Sequence, residues 1–349
     1  MYKGLFQNQM LKNIILILFF GTATFLLGYF AAVKLRSVPE ENILISRKRP
    51  EKTLEKYSID NLSNTKFQIG SFTETIKLSD DEKFSMYLFR FYFDPELKGI
   101  NYKTTSGIIN YPSNKDSNKS PIVILIRGYV DQKTYKSGMG SKNIGQYLAK
   151  NGFITIAPDF LGYGDSDSEA GNIFESRFQT YTTIITLIKS IENGILDKYW
   201  DGKNLFIWGH SNGGQIALIT LEITGGNYPT VLWAPVSKPF PYSVLYYTDE
   251  SEDRGKLIRS ELSKFERLYD VEKYSLTNYL DMINAPLQIH QGTNDDAVPV
   301  SWSNTLTSDL KSLNKRVEYI KHTEADHNMN PDWNNTAEQS LKYFIENTK

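Results

Sequence analysis

The chain has 349 residues but no cysteine, and only four histidines: His210, His290, His322 and His327. The absence of cysteine excludes disulfide bonds, thiolate metal sites and a cysteine nucleophile. Lys and Arg (39) nearly balance Asp and Glu (40), so the net charge of −1 provides no overall field that would attract nucleic acid. Internal repeats and low-complexity tracts are also lacking. A length of this order favours one large domain over two small ones.

Long uncharged segments are scarce as well, with one exception at residues 13–33, "NIILILFFGTATFLLGYFAAV". About 20 apolar residues suffice to cross a bilayer as a helix, whereas a signal peptide has an apolar region of only ~7–15 residues. We therefore predict a membrane anchor over residues 1–36, with its transmembrane helix at 13–33. The alternatives are a signal peptide cleaved after "GTA" and a buried core helix.

The charges beside this helix give conflicting predictions for its orientation. Lys and Arg are more numerous after the helix than before it, and the positive-inside rule then favours a cytoplasmic location for the large domain that follows. A short N-terminal tail ahead of a large domain is instead the usual layout of a signal anchor that exports the domain on its C-terminal side. We expect a single-pass protein whose large C-terminal domain is extracytoplasmic. Residues 37–66 are charged and lack a sustained apolar period, which predicts a solvated linker.

Residues 67–349 contain predicted strands that alternate with helices. Expected strands lie at 83–93, 105–112, 121–128, 153–159, 204–209, 230–235, 285–292 and 316–321, and expected helices at 143–150, within 173–191, and at 215–221, 302–313 and 335–347. This alternation predicts an α/β fold with a doubly wound, mostly parallel sheet, whose first two strands form an antiparallel edge. Residues 236–283 break the rhythm and predict a small lid insertion. The alternative is a crossover helix with a long connection, and the aromatic run "PFPYSVLYY" within it suits either an apolar pocket or simple packing.

The stretch "GHSNGG" contains Gly209, Ser211 and Gly213 in the Gly-x-Ser-x-Gly spacing of a nucleophile elbow, at the junction of a predicted strand and helix. A serine hydroxyl needs an imidazole to take its proton and a carboxylate to orient that imidazole. Ligands gather at the carboxyl ends of the parallel strands, so the partners are sought in loops after later strands.

Two such loops supply candidates. "HQGTNDDAVPV" places Asp295 after one strand, with Asp296 in reserve, and "HTEADHNMN" places His327 after the last strand, with His322 as the second choice. His210 precedes the serine in a tight turn that should point it elsewhere. The order serine, acid, histidine is the order that this type of fold requires.

The tetrahedral intermediate also needs donors for its oxyanion. The backbone N–H of Asn212, directly after the serine, is one expected donor, and that of Tyr129 in the loop "RGYVDQ" is the other. The alternative for Gly128 and Tyr129 is a simple tight turn.

With these motifs the chain resembles α/β-hydrolases, and among them the catalytic domains of prolyl oligopeptidase-like and dienelactone hydrolase-like serine hydrolases. The resemblance covers residues 67–349 and implies the α/β-hydrolase fold, a Ser211, Asp295, His327 triad, and acyl-enzyme chemistry without metal or organic cofactor. It also implies a structural role for Asp159, Gly162 and Gly164 at the rim of the site. Arg127 stands where many relatives have histidine, and the region before the hydrolase domain is too short for the β-propeller of prolyl oligopeptidases.

These features predict a membrane-tethered serine hydrolase that acts on a small-molecule ester, or on a short peptide or amide. Nucleic acid is not an expected partner. Two alternatives stay open: an acyltransferase that uses the same triad, and a catalytically silent, membrane-anchored binding protein that uses the same pocket.

Overall fold

The computed structural model of the protein describes residues 51–113, 119–250 and 253–349. The chain divides into two units, Met1–Glu51 and Lys52–Lys349, and every element described below belongs to the second. The predicted transmembrane helix at 13–33 and the first part of the predicted linker lie outside the described residues. Within the described ranges, none of the helices combines the length and the apolar character needed to cross a membrane.

In the described part of the chain, nine strands form a single sheet in the order β1-β2-β3-β5-β4-β6-β7-β8-β9. They are β1 (Ser71–Asp80), β2 (Phe84–Phe93), β3 (Lys103–Pro112), β4 (Ser120–Ile126), β5 (Ile154–Pro158), β6 (Trp200–His210), β7 (Thr230–Trp233), β8 (Leu287–Gly292) and β9 (Val317–His322). β1, β2, β3 and β5 pair antiparallel in turn, and all pairs from β5 to β9 are parallel. This is the α/β-hydrolase arrangement that the sequence predicts.

The helices of the described residues are α1 (Ile59–Ser63), α2 (Lys142–Lys150), α3 (Ile173–Glu192), α4 (Asn212–Thr224), α5 (Tyr242–Leu245), α6 (Lys256–Glu266), α7 (Val300–Ser312) and α8 (Trp333–Glu346). α1 precedes β1 and α8 follows β9, whereas the others lie in the connections between parallel strands. The central strands are buried on both faces: in β6, Leu205 and Ile207 join one hydrophobic cluster while Phe206 and Trp208 join the other. Because the parallel strands run in one direction, the loops after β4, β6, β8 and β9 open at the same edge of the sheet.

The folded domain begins earlier than the predicted boundary at residue 67. Leu54, Tyr57, Ile59 and Leu62 are 0–5% exposed and belong to the larger hydrophobic cluster. Both backbone polar groups of Leu54 are also hydrogen-bonded. Its N–H donates to the Tyr269 hydroxyl (3.1 Å), and its carbonyl accepts from the Tyr274 hydroxyl (3.0 Å). The prediction of a solvated linker is therefore wrong for residues 52–63.

The predicted lid segment, residues 236–283, contains α5, α6 and short 3₁₀ turns. Much of this segment packs against the rest of the domain instead of forming a separate lid. Phe240, Phe265 and Tyr274 are buried and form ring contacts with Phe178 of α3 at 5.0–6.1 Å. The stretch around α5 presents aromatic rings to solvent, with Tyr242 47% and Tyr246 41% exposed. The aromatic run in this segment thus divides between packing and surface.

Candidate active site

Ser211 lies between the end of β6 and the start of α4, as the elbow motif predicts. Its backbone has φ 56° and ψ −121°, a strained conformation for a residue with a side chain. Neighbouring loops hold it there, because the Ser211 N–H donates to the Trp233 carbonyl (2.9 Å) and its carbonyl accepts from the Val236 N–H (3.0 Å). The strand-to-helix turn therefore carries its serine in the geometry of a nucleophile elbow.

Neighbouring atoms lie so close to the glycines of the motif that these positions have no room for a side chain. A Cβ atom on Gly213 would lie 2.0 Å from the Ile126 carbonyl oxygen, and one on Gly209 would lie 2.7 Å from the Gly213 oxygen. A Cβ on Gly128 would lie 2.9 Å from the Cβ of Ser211. The elbow, the end of β4 and the loop after it consequently fit together only without side chains at these positions.

Asp295 and His327 meet although 32 residues separate them in the sequence. Asp295 follows β8 and His327 follows β9, the neighbouring parallel strand. The His327 Nδ1 atom lies 3.0 Å from Oδ1 and 2.9 Å from Oδ2 of Asp295, whose side chain is fully buried. Because an ionised carboxylate only accepts hydrogen bonds, Nδ1 is the donor, which leaves Nε2 of a neutral imidazole free to act as a base.

Asp295 has further hydrogen bonds that keep it ionised. Its Oδ1 accepts from the N–H groups of Ala297 (2.9 Å) and Val298 (2.8 Å), and its Oδ2 accepts from Gln291 Nε2 (2.8 Å). Burial alone would raise the pKa of Asp295, but the hydrogen bonds from His327 and from the two amides outweigh burial and lower this pKa below its usual value.

The reserve candidates lie elsewhere. Asp296 is exposed to solvent. His322 is buried and its ring is bonded to His290 Nδ1 (2.8 Å) on one side and to Asp332 on the other. The structure thus pairs Asp295 with His327 and gives His322 a separate set of partners.

His210 does not point away from the site, contrary to the expectation from the tight turn. Its Nε2 lies 2.9 Å from the His327 carbonyl oxygen, and the two imidazole rings are 4.7 Å apart. Burial, and next the neighbouring His327, lower the pKa of His210 to about 4, so the ring is neutral at pH 7 and donates from Nε2. Only its position beside the serine could have indicated this contact from the sequence.

Tyr129 and Asn212 both line a cavity of about 270 Å³ beside the elbow. Within the described ranges, neither backbone N–H donates to another backbone group, and Asn212 is the first residue of α4, where helical N–H groups have no partner in the helix. The helix N-terminus also carries partial positive charge. Both amides are therefore available to an anionic oxygen in this cavity.

Arg127 orients the Tyr129 amide. Its guanidinium donates to the Gly128 carbonyl (2.9 Å) and to the Asp159 carbonyl (2.8 Å). In a trans peptide the carbonyl and the following N–H point in opposite directions. Fixing the Gly128 carbonyl on the arginine therefore turns the Tyr129 N–H to the opposite side.

Arg127 is itself only 5% exposed, and its guanidinium packs against aromatic rings. The guanidinium carbon lies 4.0 Å from the ring centroid of Tyr163 and 4.6 Å from that of Tyr135. Such stacking suits the planar and weakly hydrated guanidinium better than it would suit lysine. This packing fixes the position of the guanidinium beside the loop that carries Tyr129.

Asp159 ties the loops at the rim together. Its buried carboxylate accepts hydrogen bonds from the hydroxyls of Ser106, Tyr135 and Ser137, each at 2.6 Å. A Cβ on Gly164 would lie 2.5 Å from Asp159 Oδ2, which explains the glycine in that turn. Gly162 likewise has a positive φ of 81°. Within the described ranges, no group of three or more His, Asp or Glu side chains is arranged to hold a metal ion.

Comparison with known proteins identifies the family of this chain. The profile of the prolyl oligopeptidase family matches residues 141–349, which include the elbow and both loops. The chain belongs to the prolyl oligopeptidase family. Membership of this family and similarity to esterases and peptidases identify it as an enzyme of the α/β-hydrolase serine hydrolase class.

Three proteins illustrate this similarity to esterases and peptidases. Acetyl esterase Axe7A of Xylanibacter ruminicola is 26% identical over 63% of this chain and 54% of its own length, so the chain spans about half of that relative. The uncharacterized peptidase YtmA of Bacillus subtilis is 24% identical over 63% of this chain and 84% of its own. The solved structure of an acetyl xylan esterase from Paenibacillus sp. R4 superposes with a TM-score of 0.60 at 16% identity, over 81% of this chain and 91% of that one.

Proposed function

We propose that the protein hydrolyses an ester, or less readily a peptide or amide bond, through an acyl-enzyme on Ser211. The observation that carries the proposal is the contact of His327 Nδ1 with both oxygens of the buried Asp295, on the loop edge where the strained Ser211 elbow also lies. The names of Axe7A and of the Paenibacillus structure, both acetyl esterases, favour an ester over an amide.

In the proposed mechanism, Nε2 of His327 takes the Ser211 proton as the hydroxyl attacks the acyl carbonyl carbon. Asp295 holds the imidazole in the tautomer with Nδ1–H and stabilises its charge. The amides of Asn212 and Tyr129 donate to the oxyanion, and loss of one such donor typically costs about 10²–10³ in rate. His327 next gives its proton to the leaving group, which departs and leaves the acyl-enzyme. Water then attacks the acyl carbon while His327 takes its proton, and His327 returns this proton to the Ser211 oxygen as the acyl–oxygen bond breaks and the acid is released.

Neither alternative function receives a specific supporting observation from the described residues. An acyltransferase would use the same acyl-enzyme, and transfer to an added alcohol or amine would distinguish it from a hydrolase. A silent binding protein would keep the pocket without turnover.

Hydrolysis of 4-nitrophenyl esters of increasing acyl length, compared with aminoacyl 4-nitroanilides, tests the proposal. We expect the full chain to cleave the short esters faster than the anilides, and Ser211→Ala to lose the activity. Thr220→Ser on the buried side of α4 is a matched control that alters a hydroxyl residue of the same helix outside the site. Equal rates for the wild type and Ser211→Ala would contradict the proposal.

We further propose that residues 13–33 anchor the enzyme in a membrane with the catalytic domain on the extracytoplasmic side. The uncharged length of this segment supports the anchor. Extraction of membranes at alkaline pH should leave the full chain in the pellet and release a chain that begins at Lys52. Protease digestion of intact cells or spheroplasts should degrade the catalytic domain if it is exported, and protection from protease would place it inside.

A further inference from the structure

The cavity that contains Tyr129 and Asn212 lies on the acyl side of the proposed reaction centre. In serine hydrolysis the leaving group must lie within reach of the imidazole that protonates it. The described residues that line this cavity include both oxyanion donors but none from the loop 323–332 that carries His327. A substrate whose carbonyl oxygen meets the two amides therefore extends its acyl group, and not its leaving group, into this cavity.

The lining of the cavity is partly apolar and partly polar and charged. Phe160, Leu161 and Ile216 supply apolar surface. Arg177 and Thr180 of α3 supply polar surface, and Arg177 carries a positive charge. The volume of about 270 Å³ is just below the range of roughly 300–1,000 Å³ that is typical of drug-sized ligands. The cavity thus suits a short acyl group with a polar end.

Arg177 is a cation without a carboxylate partner in the described residues. Its guanidinium donates from Nη2 to Gln215 Oε1 and lies beside the Tyr181 hydroxyl. A guanidinium carries five N–H donors, so these two neighbours leave donors for a further acceptor. Arg177 is also only partly exposed, which strengthens its attraction for an anion relative to a fully solvated arginine.

Buried side chains fix the position of Arg177. Gln215, on α4, is 2% exposed, and its Nε2 donates to the Ser243 hydroxyl (3.2 Å). Its amide is therefore held with Oε1 toward the arginine. These hydrogen bonds therefore fix the guanidinium at the lining of the cavity.

The cavity also contains one carboxylate, Glu169. Its oxygens already accept from Gln132 Nε2 (2.9 Å) and from the Ser176 hydroxyl. The buried Arg127 lines the cavity as a second cation. The charged residues of the described lining are therefore two arginines and one glutamate, so the net charge of the lining is positive.

We propose that Arg177 binds a carboxylate at the far end of the acyl group. The substrates would be esters of short dicarboxylic acids in which the second carboxyl group is free. Arginine suits this role because its planar donors can bind a carboxylate bidentately. The inference rests on the proposed function, since it uses the oxyanion position to assign the acyl side.

A matched pair of esters tests it in the full chain: the 1-naphthyl monoester of adipic acid, and the same compound with its free carboxyl group methylated. We expect the wild type to prefer the acid by about 10- to 100-fold in kcat/KM at neutral pH, the range that charged hydrogen bonds produce. Arg177→Gln should bring the ratio near one, and Arg177→Lys should restore part of it. Lys311→Gln removes an exposed charge outside the cavity and should leave the ratio unchanged.

Preference of the wild type for the methylated ester, or an equal loss on both esters in Arg177→Gln, would overturn the proposal. If the wild type cleaves neither ester while a fluorophosphonate still labels Ser211, the acyl assignment fails and the hydrolase proposal stands. If Ser211 is not labelled either, the proposed hydrolase function itself fails, and the acyl assignment that rests on it fails with it. The variants are checked by the same labelling, because a misfolded variant would not react.

Discussion

His210 Nε2 donates a hydrogen bond to the carbonyl oxygen of His327, so the residue before the nucleophile supports the loop that carries the base. This contact gives His210 a positioning role. We expect His210→Phe, which keeps an aromatic ring but lacks the donor, to lower kcat by about 3- to 10-fold, the effect of one ordinary hydrogen bond. His210→Gln retains a donor and should recover part of the loss. Full kcat in the phenylalanine variant would argue against the role.

The same histidine should make stability depend on pH. Its pKa in the folded protein is about 4, against an ordinary value of 6.5, because burial and the neighbouring His327 disfavour the charged ring. Between these two values the unfolded chain binds more protons, so the stability that the neutral ring contributes is present above about pH 6.5 and is lost as pH falls toward 4. Urea unfolding at about pH 7 and pH 4.5 should therefore show a larger fall in the free energy of unfolding for the wild type than for His210→Gln. Equal falls would contradict the assignment.

Arg127 offers a test of how the oxyanion loop is held. Lysine can reach one carbonyl but cannot bridge Gly128 and Asp159 or stack on the surrounding rings, so Arg127→Lys should lower kcat/KM for a short ester. We expect a fall of about 10- to 100-fold, since a misplaced donor costs somewhat less than a missing one. Arg90→Lys, an exposed arginine on β2, is the control. An unchanged kcat/KM in Arg127→Lys would show that the Tyr129 amide does not depend on this arginine.

Gly213 tests the close packing of the elbow. The added Cβ of Gly213→Ala would meet the Ile126 carbonyl at 2.0 Å, and the end of β4 would have to move away from α4. Overpacking of this kind costs about 1–3 kcal/mol or more, and we expect lower thermal stability together with loss of esterase activity. Gly171→Ala is the matched control because its Cβ would meet nothing within 4 Å. Similar melting temperatures for both variants would refute the packing argument.

The N-terminal segment of the folded domain should be required for stability. A chain that begins at residue 67 loses Leu54, Tyr57, Ile59 and Leu62 from the core. Full burial of each such side chain contributes roughly 1.5–3 kcal/mol, so we expect this chain to melt well below one that begins at Lys52, or not to fold. Thermal unfolding by circular dichroism compares the two, and equal melting temperatures would mean that the segment adds nothing.

The sequence predicts the central sheet well, and it supplies candidate site residues, because both depend on local patterns. Apolar runs mark the parallel strands, and the loops after β8 and β9 supply Asp295 and His327 as candidates. β1 is not predicted, since most of its side chains are exposed and its alternation is weak. The segment that contains Leu54 resembles a linker because its few apolar residues are separated by charges, and they are buried only by distant partners such as Tyr269.

Contacts between distant loops are also beyond prediction. Nothing in the sequence near Arg127 indicates that its guanidinium would hold the Gly128 carbonyl, because one of the rings that fix it, Tyr163, and its second acceptor, Asp159, come from the loop after β5. The contact of His210 with His327 likewise joins residues 117 positions apart. Such relationships depend on how loops converge at the sheet edge, which periodicity does not encode.

The central claim is that Ser211 is an activated nucleophile served by His327 and Asp295. The most direct measurement is labelling of the full chain with a fluorophosphonate probe, together with mass spectrometry of the peptide that contains the elbow. We predict a single phosphonate on Ser211, no label in Ser211→Ala, and strongly slowed labelling in His327→Gln and Asp295→Asn. A folded wild type that stays unlabelled, or a label on another residue, would contradict this claim.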